Sequence, residues 1–128
     1  MTKKTMLIVS VSILLIVVMG VIYLHNTSHS QMLAKRALNV IDSLQAGNYQ
    51  QATRDFDLRA ASIFGRQLPT LWPTVMAKAG ALKSHTVTRV DGNKVYITCI
   101  FEKGNLYGVV EFDDTNKIVN FSMYGHPV

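Results

Sequence analysis

The sequence predicts an α+β protein: an N-terminal transmembrane helix, then a domain of about three helices packed on a four-stranded antiparallel meander. Three observations predict it. A charge-free run, Met6–Leu24, "MLIVSVSILLIVVMGVIYL", stands near the start. Apolar residues then recur at a helical period of about 3.6 as far as Gly80. From Ala81 the period drops to about 2, in four segments joined by links rich in Gly, Asn and Asp.

The apolar run spans roughly 28 Å at 1.5 Å per residue, close to the ~30 Å hydrocarbon thickness of a bilayer. Lys3, Lys4 and the amino terminus precede it and favour a cytoplasmic N-terminus. Lys35 and Arg36 follow about ten residues later and oppose that orientation only weakly. A second reading is a cleaved signal peptide, because Ser28-His29-Ser30 offers small residues before Gln31 and the mature chain would then be secreted. The run exceeds the roughly 7–15 residues of a signal-peptide core, which favours the anchor. No Cys stands near its end, which argues against a lipoprotein. The expected organisation is an anchor over 1–25, a short polar linker over 26–30, "HNTSHS" being its neighbourhood, and a domain over 31–128. The last spans about 98 residues, enough for autonomous folding.

Net charge is +5 at neutral pH. Two of the 13 Lys and Arg are Lys3 and Lys4, which leaves 11 against 8 Asp and Glu from Gln31 onward. These are scattered, with no basic run, so nucleic acid is not an expected partner. Cys99 is the single cysteine. It cannot form an intramolecular disulfide, and Ile97, Ile100 and Phe101 around it suggest a small buried apolar residue.

The first helix is expected from about Ser30 to Ala46, with Leu33, Ala37, Val40, Ile41 and Leu44 on one stripe. Gly47 supplies its left-handed stop. Asn48 then caps a second helix, with Gln51 where a capping-box partner belongs. Ala52 and Phe56 recur four apart on that helix, and Phe56 is expected to anchor it under the sheet. Asp57 caps the next segment, whose apolar positions are Leu58, Ala61, Ile63, Phe64 and Leu68; Gly65 weakens it. Pro73 is tolerable only in a first turn, so a third helix is expected to start near Thr70 or Leu71. Trp72, Val75, Met76 and Ala79 are its apolar face, and Gly80 ends it.

Four strands are expected: "ALKSHTVTRV", "KVYITCIFEK", "LYGVVEFD" and "KIVNFSMYG". Their links, "DGN", "GN" and "DTN", carry residues that accept positive φ cheaply. Val95, Ile97, Cys99 and Phe101 share one face of the second strand. Leu106, Gly108, Val110 and Phe112 share one face of the third, and Val119, Phe121 and Met123 one face of the fourth. That apolar face calls for a cover, and the helices provide it.

Gly47-Asn48-Tyr49, Ala52, Phe56-Asp57, Leu68, Trp72, Gly80 and the meander "VDGNKVYITCIFEKGNLYGVVEFDDTNKIVNFSM" together resemble a family of small bacterial domains. That family is catalogued as a domain of unknown function in the cystatin-like superfamily of nuclear-transport-factor-2-like cone folds. The resemblance covers Gln31–Val128 and implies a cone-shaped cleft between helices and sheet. Family members are often secreted or envelope-attached, and some precede an α/β-hydrolase domain. Only the small domain is matched, so no hydrolase role is carried over.

Enzymes on cone folds work with a buried Asp, His or Tyr, which singles out Asp55, Asp57, His85, Tyr96 and His126. Simpler roles compete. Asp57 reads as a helix cap, His85 as an exposed strand residue, and His126 lies beside the C-terminus. No Asp–His pair has a spacing that forces proximity, and no nucleophile motif, phosphate loop or zinc-ligand set is visible. The reading is therefore a non-catalytic domain with no cofactor or metal. Its partners are the membrane, through Met6–Leu24, and a protein of the bacterial cell envelope, engaged as an interaction subunit or an immunity-type protein. Phe56, Phe64, Trp72 and Met76 are the candidate lining of a ligand or partner cleft, and packing is their competing role. A small-molecule binder or cryptic enzyme using the cleft is the alternative function.

Overall fold

The computed structural model describes residues 28–128, and the expected anchor Met6–Leu24 lies outside them. Helix α1 covers 28–45, α2 Tyr49–Ala52 and α3 Leu58–Ala79. Strands β1 (Leu82–Asp91), β2 (Lys94–Phe101), β3 (Gly104–Phe112) and β4 (Ile118–Tyr124) follow. They form one antiparallel sheet in the order β1-β2-β3-β4. The α+β class, with three helices on a four-stranded meander, is therefore as the sequence predicts. Among the described residues no helix is long and apolar enough to cross a membrane.

The α1 stripe is buried along its length: Leu33, Ala37, Val40, Ile41 and Leu44 are each at most 1% exposed. Its end is closed by two bonds, Gly47 N–H to the Leu44 carbonyl and Asn48 N–H to the Ser43 carbonyl, with Gly47 at φ 73°. Glycine tolerates that left-handed geometry without a Cβ clash. The Asn48 side chain then accepts from Gln51 N–H at 3.1 Å and opens α2. Asn39 of α1 donates to the Gln51 carbonyl and ties the two helices together.

Helix α2 ends at Ala52, short of the expected Phe56. Two competitors stop it. The Thr53 hydroxyl donates back to the Tyr49 carbonyl at 3.1 Å, a side-chain bond that competes with helix propagation. Phe56 is drawn into a parallel bridge with Ile118, where Asp57 N–H donates to the Ile118 carbonyl and Ile118 N–H to the Asp55 carbonyl, at 2.9 and 2.8 Å. Phe56 is buried, but as part of this bridge and not on a helix.

The two segments expected between Asp57 and Gly80 are one helix. Asp57 caps it, accepting from Ala60 N–H at 2.7 Å. Gly65, Pro69 and Pro73, spaced four apart, share an exposed stripe. Each proline removes a bond to the carbonyl four residues earlier, so the freed carbonyls are those of Gly65 and Pro69, on the solvent side. The opposite side buries Ala60, Leu68 and Trp72, with Ile63, Phe64, Val75 and Met76 half-buried. That apolar side offsets the proline cost of roughly 3 kcal/mol each. Leu58, expected on the apolar side, is 93% exposed in the first turn. Gly80 ends α3 at φ 82°, and a Cβ there would meet Glu102 Cβ at 2.9 Å.

In the sheet, β2 follows its alternation: Val95, Ile97, Cys99 and Phe101 are buried. On β3, Gly108, Val110 and Phe112 are buried and Leu106 is half-buried. On β4 a bulge at Val119 shifts the register, pairing Phe112 with Ile118 and Val110 with Phe121. Ile118 and Phe121 are buried, while Val119 and Met123 are half-buried. The second link also differs from "GN": Phe101 pairs with Gly104, so the turn residues are Glu102 and Lys103. Their N–H groups bond the Ala81 and Ala79 carbonyls, which fastens this hairpin to the end of α3.

Candidate functional site

The four candidate cleft residues form two groups. Phe56 and Phe64 pack edge to face, with ring centroids 5.5 Å apart, and Phe64 continues to Phe121 at 6.4 Å. Trp72 sits further along α3 and packs on Phe101 at 6.2 Å. Met76 is half-buried one turn beyond Trp72. Of the four, Phe64 lines an open cleft of about 500 Å³ between the first turns of α3 and strand β4. Ala60, Ile63 and Val119 give that cleft its apolar walls, and Asp57, Arg59 and Asn120 its polar rim.

Asp55 accepts from the neighbouring Arg54 at 3.3 Å, and its carbonyl belongs to the Ile118 bridge. Asp57 is occupied as the α3 cap. Tyr96 lies on the opposite face of the sheet, with the Arg89 guanidinium 4.0 Å from its ring centre. His126 is exposed, its ring 6.1 Å from that of Tyr124.

His85 differs from expectation. It faces the helices, where the sequence suggests an exposed strand residue. Register shifts at Lys83 and Thr88 break the alternation of β1, so that Leu82, His85, Val87 and Val90 pair with Phe101, Cys99, Ile97 and Val95. His85 Nε2 lies 2.6 Å from Asp42 Oδ1 of α1. Nothing in the sequence signals this pair, because 43 residues separate its members and bulges leave no local pattern. The arrangement orients the imidazole and joins α1 to the edge of the sheet. Cys99, opposite His85 in the ladder, has its thiol pushed up to about 11 by burial, so it is protonated at neutral pH. A thiol in that state is a packing group and a poor nucleophile. Among the described residues no group of three or more His, Cys, Asp and Glu is placed to hold a metal ion.

Two further surfaces stand out. A groove of about 380 Å³ runs between the last turn of α3 and the β2–β3 hairpin, with Val75, Ala79 and Leu106 as apolar walls and Lys78 and Lys103 alongside. The other is the outer sheet face. Its rows are Thr86–Thr98–Tyr107–Tyr124 and Arg89–Tyr96–Val109–Ser122. Ile100 and Tyr124 there are 42% and 39% exposed. A depression of about 240 Å³ on this face lies between Tyr96, Thr98, Tyr107 and the chain end, Pro127-Val128. Comparison of the chain with protein-family models, curated proteins and solved structures found no match.

Proposed function

We propose that the chain is a membrane-anchored, outward-facing binding or assembly domain of the bacterial cell envelope, a protein-interaction subunit or an immunity-type protein. The observation that carries the reading is the outer sheet face, which carries Tyr96, Tyr107, Tyr124 and Arg89, with Tyr96 and Tyr107 walling a depression of about 240 Å³. Tyrosine and arginine are enriched where partners dock, since each combines a large apolar contact with a polar end. Arg89 is already held over the Tyr96 ring, so less side-chain freedom is lost on docking. The run Met6–Leu24 behind Lys3 and Lys4 supports the anchored orientation, and the resemblance to cone-fold domains of envelope proteins agrees with it.

The test is capture from detergent-solubilised membranes followed by mass spectrometry. Tyr107→Ala and Arg89→Ala are expected to reduce capture of a specific partner by about tenfold or more, with the thermal transition retained. Undiminished capture by both variants would overturn the reading. A second reading, a small-molecule binder or cryptic enzyme, is favoured by the cleft of about 500 Å³ beside Phe64. Loss of partner or ligand with Phe64→Ala alone would transfer the function to that cleft.

A further inference from the structure

We infer that the groove between the last turn of α3 and the β2–β3 hairpin binds a medium-chain fatty acid, with the alkyl chain along Val75, Ala79 and Leu106 and the carboxylate at Lys78 and Lys103. The inference starts from the make-up of the lining. At about 380 Å³ the groove has the size of a small-ligand pocket, roughly 300–1,000 Å³. Its walls are apolar, its charged groups are both cations, and no carboxylate belongs to the lining. Lys78 and Lys103 are exposed, and among the described residues neither is in an ion pair. The carboxylate of Glu102, next in the chain to Lys103, is turned toward Gly80 instead. An apolar wall beside two uncompensated cations complements a molecule with one apolar chain and one anionic end.

Backbone bonds build the groove, so its shape is set before a ligand enters. Glu102 N–H and Lys103 N–H donate to the Ala81 and Ala79 carbonyls at 3.0 and 2.9 Å, which holds the hairpin against the end of α3. Gly80 N–H closes that end on the Met76 carbonyl at 2.9 Å. These bonds also bear on charge. The carbonyl end of a helix repels an anion, but the Met76 and Ala79 carbonyls are already paired, and Lys78 stands in the last turn. A chain-bearing acid fits better than a bare carboxylate, because each fully buried methylene adds roughly fourfold to affinity. Exposed lysines alone add little. Leu106 pairs with buried Cys99, on the sheet face that the helices cover, and its neighbour Tyr107 points to the other face. The groove therefore stands apart from the proposed partner surface. It is also distinct from the Phe64 cleft, which lies at the first turns of α3.

The test uses the full chain in nanodiscs of zwitterionic lipid at neutral pH, with the methyl signals of Val75 and Leu106 followed by NMR. Octanoate is expected to shift both sets of methyls saturably. Butanoate should bind about tenfold or more weakly, since it forfeits most of the apolar wall. Octylammonium, with the same chain and the opposite charge, should also bind about tenfold or more weakly than octanoate. Lys78→Gln combined with Lys103→Gln should erase that preference for the acid over the amine and keep the thermal transition, both side chains being exposed. The proposal is overturned if octanoate shifts neither methyl set, if octanoate and octylammonium bind equally to the parent, or if the double variant keeps the parent's preference. It is overturned as well if the methyls shift when anionic lipid replaces the zwitterionic lipid and no octanoate is added, since the groove then faces a bilayer.

Discussion

The joint between α1 and α2 and the edge strand β1 obey different ranges of interaction. At the joint the bonds that stop α1 and start α2 are short-range: Gly47 to Leu44, Asn48 to Ser43, Gln51 to the Asn48 side chain. In β1 the face that each residue serves depends on two register shifts and on a partner strand, and His85 ends against Asp42 on another element. Local chemistry thus decides where an element stops and starts. Which side of the sheet a residue serves is decided by neighbours distant in the chain, and a single inserted residue reverses it.

This contrast is tested most severely at Phe56, which sequence locality places on a helix and tertiary pairing places in a bridge. The ring is 5% exposed and packs edge-on against Phe64. Phe56→Ala is expected to cost roughly 3–5 kcal/mol in denaturant unfolding, through lost burial and the cavity it leaves. A nearly neutral result accompanied by loss of binding would mean that the ring belongs to an open site, and the tertiary side of the comparison would lose its strongest member.

At the joint the expected effect is smaller. Asn48→Ala removes one acceptor from a four-residue helix and should cost about 1 kcal/mol in the same melts, with Asn48→Gly a few tenths. If Asn48→Ala matched Phe56→Ala, the capping bond would be carrying a tertiary load that its exposed position does not suggest.

Much of the fold was legible because it rests on period and punctuation. The stripe Leu33, Ala37, Val40, Ile41 and Leu44 needs only the helical repeat, and Gly47 and Asn48 need only backbone preference. The α3 segment was misread because the rule that confines Pro73 to a first turn is local. Its falling with Gly65 and Pro69 on one solvent stripe matters only once the other side is packed. Ile118 was missed as a core residue for the same reason as His85: its inward position follows from a bulge. The candidate cleft residues were legible as aromatic and apolar groups. Their division between the Phe56–Phe64–Phe121 cluster and the Trp72–Phe101 pair depends on sheet register. The outer tyrosines follow from simple alternation, since the helices cover the apolar face, yet that pattern says nothing about the depression that Tyr96 and Tyr107 form with Pro127-Val128.

The smallest expected effect belongs to the local side, in the β3–β4 turn, and it depends on pH. Asp113 Oδ1 accepts from Lys117 N–H, from the Thr115 hydroxyl and from Thr115 N–H, at 3.0, 2.7 and 2.8 Å. The Lys117 backbone bond is the main cause that holds its carboxyl below the ordinary value, followed by the Thr115 hydroxyl. These donors favour the ionised form, and none would hold that form in the unfolded chain. Stability from this group is therefore complete above the ordinary carboxylate value and is lost as pH falls through the lower folded value. Asparagine retains an acceptor oxygen at the same place but not the charge. Asp113→Asn should therefore melt slightly below the parent at neutral pH, and the gap should close as pH is lowered to about 2. Because the carboxylate is solvent-exposed, added salt should narrow the Lys117 charge contribution at neutral pH without abolishing the three bonds. A gap that widened in acid would mean that the turn is stabilised by the protonated carboxyl, and the sign of the local argument would be reversed.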